Sequence, residues 1–74
     1  MEKTNEKDIL INRAQMLEIA SEYQLFISKS TIHRWANTPK FPRVVGKRGK
    51  FLLYRKQEFI WYLNLILRKI EEAH

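Results

Sequence analysis

Residues 28–55 read SKSTIHRWANTPKFPRVVGKRGKFLLYR, and the order of residue types in this stretch decides the fold. Ser28 carries a hydroxyl able to cap the free N–H groups of a first helical turn. Ile32, Trp35 and Ala36 then recur at three- and four-residue spacing, which places them on one face of a short helix. Lys29, Ser30, His33, Arg34 and Asn37 occupy the opposite face. Pro39 and Pro42 cannot continue a helix, so it stops near Asn37. Two β-branched and aromatic runs follow, on either side of Gly46-Lys47-Arg48-Gly49, and predict a β-hairpin with a cationic tip. Along its second strand Leu52 and Tyr54 face one side, Phe51 and Leu53 the other.

Upstream, Asn12 is a helix cap. Met16, Leu17, Ala20 and Tyr23 recur behind it, predicting an amphipathic helix over Arg13 to Glu22. Tyr23 to Ile27 (YQLFI) is strand-like or loop-like and carries the chain to a turn. Downstream, apolar residues recur densely from Lys56 to Glu72, which predicts a long third helix. The order helix, turn, short helix, basic hairpin, long helix gives the fold class: mainly α with a small β-hairpin, a winged helix-turn-helix with an extended C-terminal helix. Residues 1–8 are polar and charged and read as a flexible N-terminal tail, ahead of a single domain over residues 9–74.

A chain of 74 residues is a small domain, which buries only about 60% of the surface its unfolded form exposes. With no cysteine, it has neither disulfides nor thiolate metal sites to stiffen it. The N-terminus lacks the apolar core of a signal peptide, and the C-terminal apolar run is too short and too flanked by charge to span a bilayer. The expected location is therefore cytoplasmic, with no membrane partner.

The formal net charge is +6, and its distribution is more informative than its sum. No acid lies between Tyr23 and Gln57, whereas that interval holds Lys29, Arg34, Lys40, Arg43, Lys47, Arg48, Lys50, Arg55 and Lys56. A solvated surface normally mixes both signs, so a sign-pure middle third points to a polyanion, with nucleic acid the leading candidate and an anionic membrane the next. The short helix would enter the major groove while the cationic hairpin lies against the neighbouring backbone. The expected DNA-contacting residues are Lys29, Ser30, Thr31, His33, Arg34, Lys40, Arg43, Lys47, Arg48 and Lys50. Arg34 has no acid nearby in sequence to pair with, and suits a phosphate or base contact. The hydroxyls of Ser30 and Thr31 suit either DNA or the local backbone, and both uses stay open. Trp35 shares its face with Ile32 and Ala36 and belongs to the core, not to a base-stacking platform.

No catalytic residue, metal site or cofactor is expected. His33 and His74 are the only histidines, too few for a metal site, and a Ser30–His33 pair has no acid in reach to orient it. In the third helix Phe59, Tyr62, Leu63, Ile66 and Ile70 form one stripe, and Trp61 and Leu65 fall on another. One small core hardly covers both, so self-association through Phe51, Leu53, Trp61 and Leu65 is expected. The competing expectation is that the residues 21–27 segment folds back over them.

Residues 28–45 resemble the AlpA-type phage regulators and related excisionases, a winged-helix group akin to the MerR DNA-binding domain. The pattern of that group is Ser, a basic residue, Ser, Thr, an aliphatic residue, an aromatic, then Arg-Trp and, shortly afterwards, Phe-Pro. Here Ser28, Lys29, Ser30, Thr31, Ile32, Arg34, Trp35, Phe41 and Pro42 match it, and His33 stands where an aromatic is usual. Tyr54, Glu58, Phe59, Tyr62 and Leu63 match its second half, so the resemblance covers roughly residues 9–64. The segment between the first two helices is longer than in the group, and the third helix runs on further. The resemblance implies a sequence-specific DNA-binding protein of a phage or mobile element. It would act as an excisionase-like recombination directionality factor beside a cognate integrase, or as a transcriptional regulator. The alternative reading is a protein-interaction module, an adaptor or antitoxin-like partner, that uses the apolar third helix.

Overall fold

The computed structural model describes residues 9–72, three α-helices and a three-stranded antiparallel sheet. The expected tail over residues 1–8 lies outside the described residues. In chain order the elements are β1 (Leu10–Ile11), α1 (Arg13–Glu22), α2 (Lys29–Trp35), β2 (Gly46–Arg48), β3 (Phe51–Arg55) and α3 (Lys56–Glu72).

Local chemistry sets the bounds of α1. Asn12 Oδ1 accepts the Gln15 backbone N–H at 2.9 Å, and Gln15 Oε1 accepts the Asn12 N–H at 2.9 Å, closing a capping box. At the far end the Leu25 N–H donates to the Ala20 carbonyl (2.9 Å) and the Gln24 N–H to the Ser21 carbonyl (3.0 Å). This is a Schellman motif, whose C′ position must be left-handed; Gln24 fills it with φ +67°. Leu25 and Ile27 then pack against the core while Phe26 points outward, 78% exposed. The residues between α1 and α2 therefore form a tight helix stop and a half-buried connection, and Trp61 stays 54% exposed.

Ser28 caps α2, accepting the Thr31 N–H at 3.4 Å. Ile32 is fully buried, with Trp35 and Ala36 packed beside it, as their spacing requires. Phe41 and Pro42, after α2, are both buried. The ring of Phe41 meets Tyr54, Phe59 and Tyr62 edge-on, with centroids 5.7, 6.3 and 5.3 Å away. Trp35 stacks edge-on against Tyr62 at 5.4 Å, so the Arg-Trp and Phe-Pro signatures meet in one aromatic cluster. Ile11, Met16, Ile19, Ala20 and Leu63 complete the core.

The sheet order is β1-β3-β2. The sequence gives no warning of β1, which pairs Leu10 with Arg55 and Ile11 with Tyr54. The hairpin turn also lies one step later than the expected Gly46–Gly49 tip. Arg48 pairs with Phe51, leaving Gly49 and Lys50 as the two-residue loop. Gly49 has φ +61°, and no positive φ is found at Lys50. That pattern belongs to a type II′ turn, which takes glycine at its first central position and matches the twist of the strands. Gly46 lies instead within β2, opposite Leu53.

Helix α3 leaves β3 without a loop and carries Glu58 in its first turn and Lys69 in its last, both favourable to its dipole. Phe59, Tyr62 and Leu63 are buried, and Ile66 packs at the edge of the core. Ile70 lies on the same stripe but is 45% exposed, because the helix runs beyond the residues it could pack against. Seventeen residues make a rod of about 25 Å, and the domain is accordingly elongated, with a longest axis of 48 Å.

Candidate nucleic-acid interface

The exposed side of α2 presents Lys29, Ser30, His33 and Arg34, with Thr31 half-buried at its edge. The hydroxyls of the first turn are engaged with one another. Ser28 Oγ lies 3.0 Å from Ser30 Oγ and 3.4 Å from Thr31 Oγ1, and Arg34 Nη2 donates to Thr31 Oγ1 at 3.4 Å. Arg34 is thus steered along the helix by a neutral partner, with no carboxylate of the described residues within ion-pair distance. Among the described residues the one ion pair is Arg55 with Glu58, at 3.7 Å.

The hairpin turn brings one further cation beside α2. Lys50 sits in the β2–β3 turn and lines a cleft of about 340 Å³ together with Lys29 of α2 and Arg13 of α1. Leu52, which pairs with Lys47, and Phe51, which pairs with Arg48, both line that cleft, whereas neither of the two strand cations does. By alternation Lys47 and Arg48 project to opposite faces of the hairpin. The expected triple cationic tip is therefore a single lysine at the turn with two flanking strand residues aimed apart.

Arg43 is not grouped with these residues. It borders a separate hollow with Val44, Val45, Arg55 and Glu58, where an acid is at hand. Lys40 is exposed in the connection between α2 and Phe41. Sequence reasoning also missed a residue. Arg13 is the first residue of α1, and its Nε donates to the hydroxyl of the buried Tyr54 at 3.2 Å. A cation at a helix N-terminus opposes the dipole, and α1 has no acid in its first turn to offset it. That local conflict was the signal available in the sequence.

The residues expected to self-associate fall into two neighbouring groups. Phe51 and Leu53 share one face of β3 with Arg55. Arg55 pairs with Glu58, and Trp61 and Leu65 continue the stripe of Glu58 along α3. Phe51 and Trp61 are 52% and 54% exposed, whereas Leu53 and Leu65 are half-buried.

Among the described residues no group of His, Cys, Asp or Glu is placed to hold a metal ion, and no helix is long and apolar enough to cross a membrane. No family model, curated protein or solved structure matches the chain.

Proposed function

We propose that this domain is a winged helix-turn-helix that binds double-stranded DNA, with α1 and α2 as the helical pair, α2 as the groove-reading helix and β2–β3 as the wing. The observation that carries the reading is the convergence of Lys29 of α2, Lys50 of the β2–β3 turn and Arg13 of α1 on one cleft whose lining, among the described residues, holds no carboxylate. Cations gathered in this way repel each other in the free protein and gain when a polyanion releases its counterions. The side chains on α2 mix one arginine with hydroxyls and an imidazole, which suits base edges as well as phosphates.

The biological role rests on the resemblance to AlpA-type regulators and excisionases: a phage or mobile-element protein directing recombination with an integrase, or regulating transcription. Copies of the chain meeting through Phe51, Leu53, Trp61 and Leu65 would add cooperativity to a weak single module. The same exposed Trp61 is the observation that favours the second reading, a protein-interaction module.

Selection of bound sequences from random duplexes, followed by salt titration, tests the proposal. About five neutralised phosphates give a slope of about −4.5 in log K against log salt, hence an about 500-fold loss between about 50 and 200 mM salt. Arg34→Ala should weaken binding and relax the selected sequence, and Lys47→Ala should flatten the slope by about 0.9. Salt-indifferent binding to a protein partner, with no duplex selected, would favour the interaction module.

A further inference from the structure

The cleft between the first turn of α1, the first turn of α2 and the hairpin turn has an unusual lining. Three cations, Arg13, Lys29 and Lys50, come to it from three separate elements. Between them lie apolar side chains, chiefly Leu17, Ile32, Phe51 and Leu52, and among the described residues the lining contains no carboxylate. Like charges set around one hollow raise the energy of the free protein, and an anion in or over the hollow removes that cost. The apolar part argues against a bare inorganic anion, which needs polar neighbours on every side. A strand of nucleic acid supplies both kinds of surface, a C–H-rich sugar between two phosphates.

Arg13 is prepared for such a partner. Its Nε is tied to the Tyr54 hydroxyl at 3.2 Å. Tyr54 is itself 1% exposed and held edge-on by Phe41. The guanidinium is therefore anchored to the core through one nitrogen, and among the described residues its two terminal nitrogens have no partner. An arginine fixed in this way loses less conformational freedom on binding than one on an open surface.

We infer that this cleft seats one sugar of a DNA strand, with Arg13, Lys29 and Lys50 holding the phosphates on either side of it and Tyr54 positioning Arg13. The inference rests on the DNA-binding reading above and adds to it a contact from α1, outside the expected set. In the bound state the strand passes between the reading helix and the wing, so the cleft fixes how α2 is set in its groove.

The test is ethylation interference and salt titration on a selected duplex. Arg13→Ala is expected to bind about tenfold more weakly, to flatten the salt slope by about 0.9, and to lose sensitivity at one ethylated phosphate that blocks the unmodified protein. Arg13→Lys keeps the charge but not the tether, and Tyr54→Phe keeps the ring but not the hydroxyl. Both should weaken binding while retaining the slope, and thermal unfolding monitors their folding. An Arg13→Ala protein with unchanged slope and ethylation pattern, while Arg34→Ala and Lys47→Ala weaken binding, overturns the cleft and leaves the DNA reading standing. Absence of salt-dependent duplex binding by the unmodified protein overturns both. If millimolar inorganic phosphate shifts the Arg13 Nε–H resonance as fully as the duplex does, the cleft is a simple anion site and the sugar assignment fails.

Discussion

Replacing Gln24 by glycine should stabilise this domain, and the size of the effect follows from the stop of α1. Gln24 is exposed and is the single non-glycine residue with positive φ among the described residues, at +67°. A left-handed conformation costs an L-residue about 1–2 kcal/mol. Glycine escapes that strain but returns about 0.5–1 kcal/mol of it through the greater freedom of its unfolded chain. The balance is a gain of about 0.5–1 kcal/mol, because the Schellman hydrogen bonds use backbone atoms and no side-chain packing is lost. For a domain of this size that corresponds to a rise in Tm of about 2–8 °C. Thermal unfolding followed by circular dichroism reads it directly, with Gln24→Ala as a control that keeps the strain and should leave Tm nearly unchanged. Equal Tm values for the glycine and alanine variants would refute the argument. So would a lower Tm for glycine, since both show that position 24 is not held left-handed.

Phe41→Leu removes three edge-on aromatic contacts while keeping most of the apolar volume. At about 0.5–1.5 kcal/mol per pair, urea unfolding should show a loss of about 1.5–4.5 kcal/mol. Asn12→Ala opens the capping box of α1 and should cost about 1 kcal/mol by the same assay, with an added fall in DNA affinity because Arg13 is the next residue. Trp61→Glu places a charge on a side chain that is already 54% exposed. The monomer should keep its Tm while any concentration-dependent association in sedimentation equilibrium disappears; a monomeric unmodified protein at tens of micromolar would remove self-association off DNA.

The long elements were legible because their signals are local and repeated. Helix α1 begins behind Asn12 and α3 runs from Lys56 to Glu72, as the spacing of Met16, Leu17 and Ala20 and of Phe59, Tyr62 and Leu63 indicates. Strand β1 was not legible. Its two residues are too few to show alternation, and its partners, Tyr54 and Arg55, lie far along the chain. The hairpin was visible but its turn was not, since either glycine of Gly46-Lys47-Arg48-Gly49 could take positive φ, and the pairing of Arg48 with Phe51 decides for Gly49. Among the candidate contacts, Lys29, Ser30, His33 and Arg34 follow from helical spacing alone. The separation of Arg43 from Lys50, and the tether between Arg13 and Tyr54, depend on packing between elements distant in sequence. Composition marked the cationic interval from Tyr23 to Gln57, but not which of its members share a side.

DNA binding is proposed for the face on which α2 and the β2–β3 turn bring Lys29 and Lys50 to one cleft. Its most direct test is the affinity of the full chain for a selected duplex, measured across about 50 to 200 mM salt. The account predicts a steep linear fall, about 500-fold over that range, that becomes shallower in Lys47→Ala. An affinity that stays flat with salt, or a Lys47→Ala slope equal to that of the unmodified protein, would contradict it.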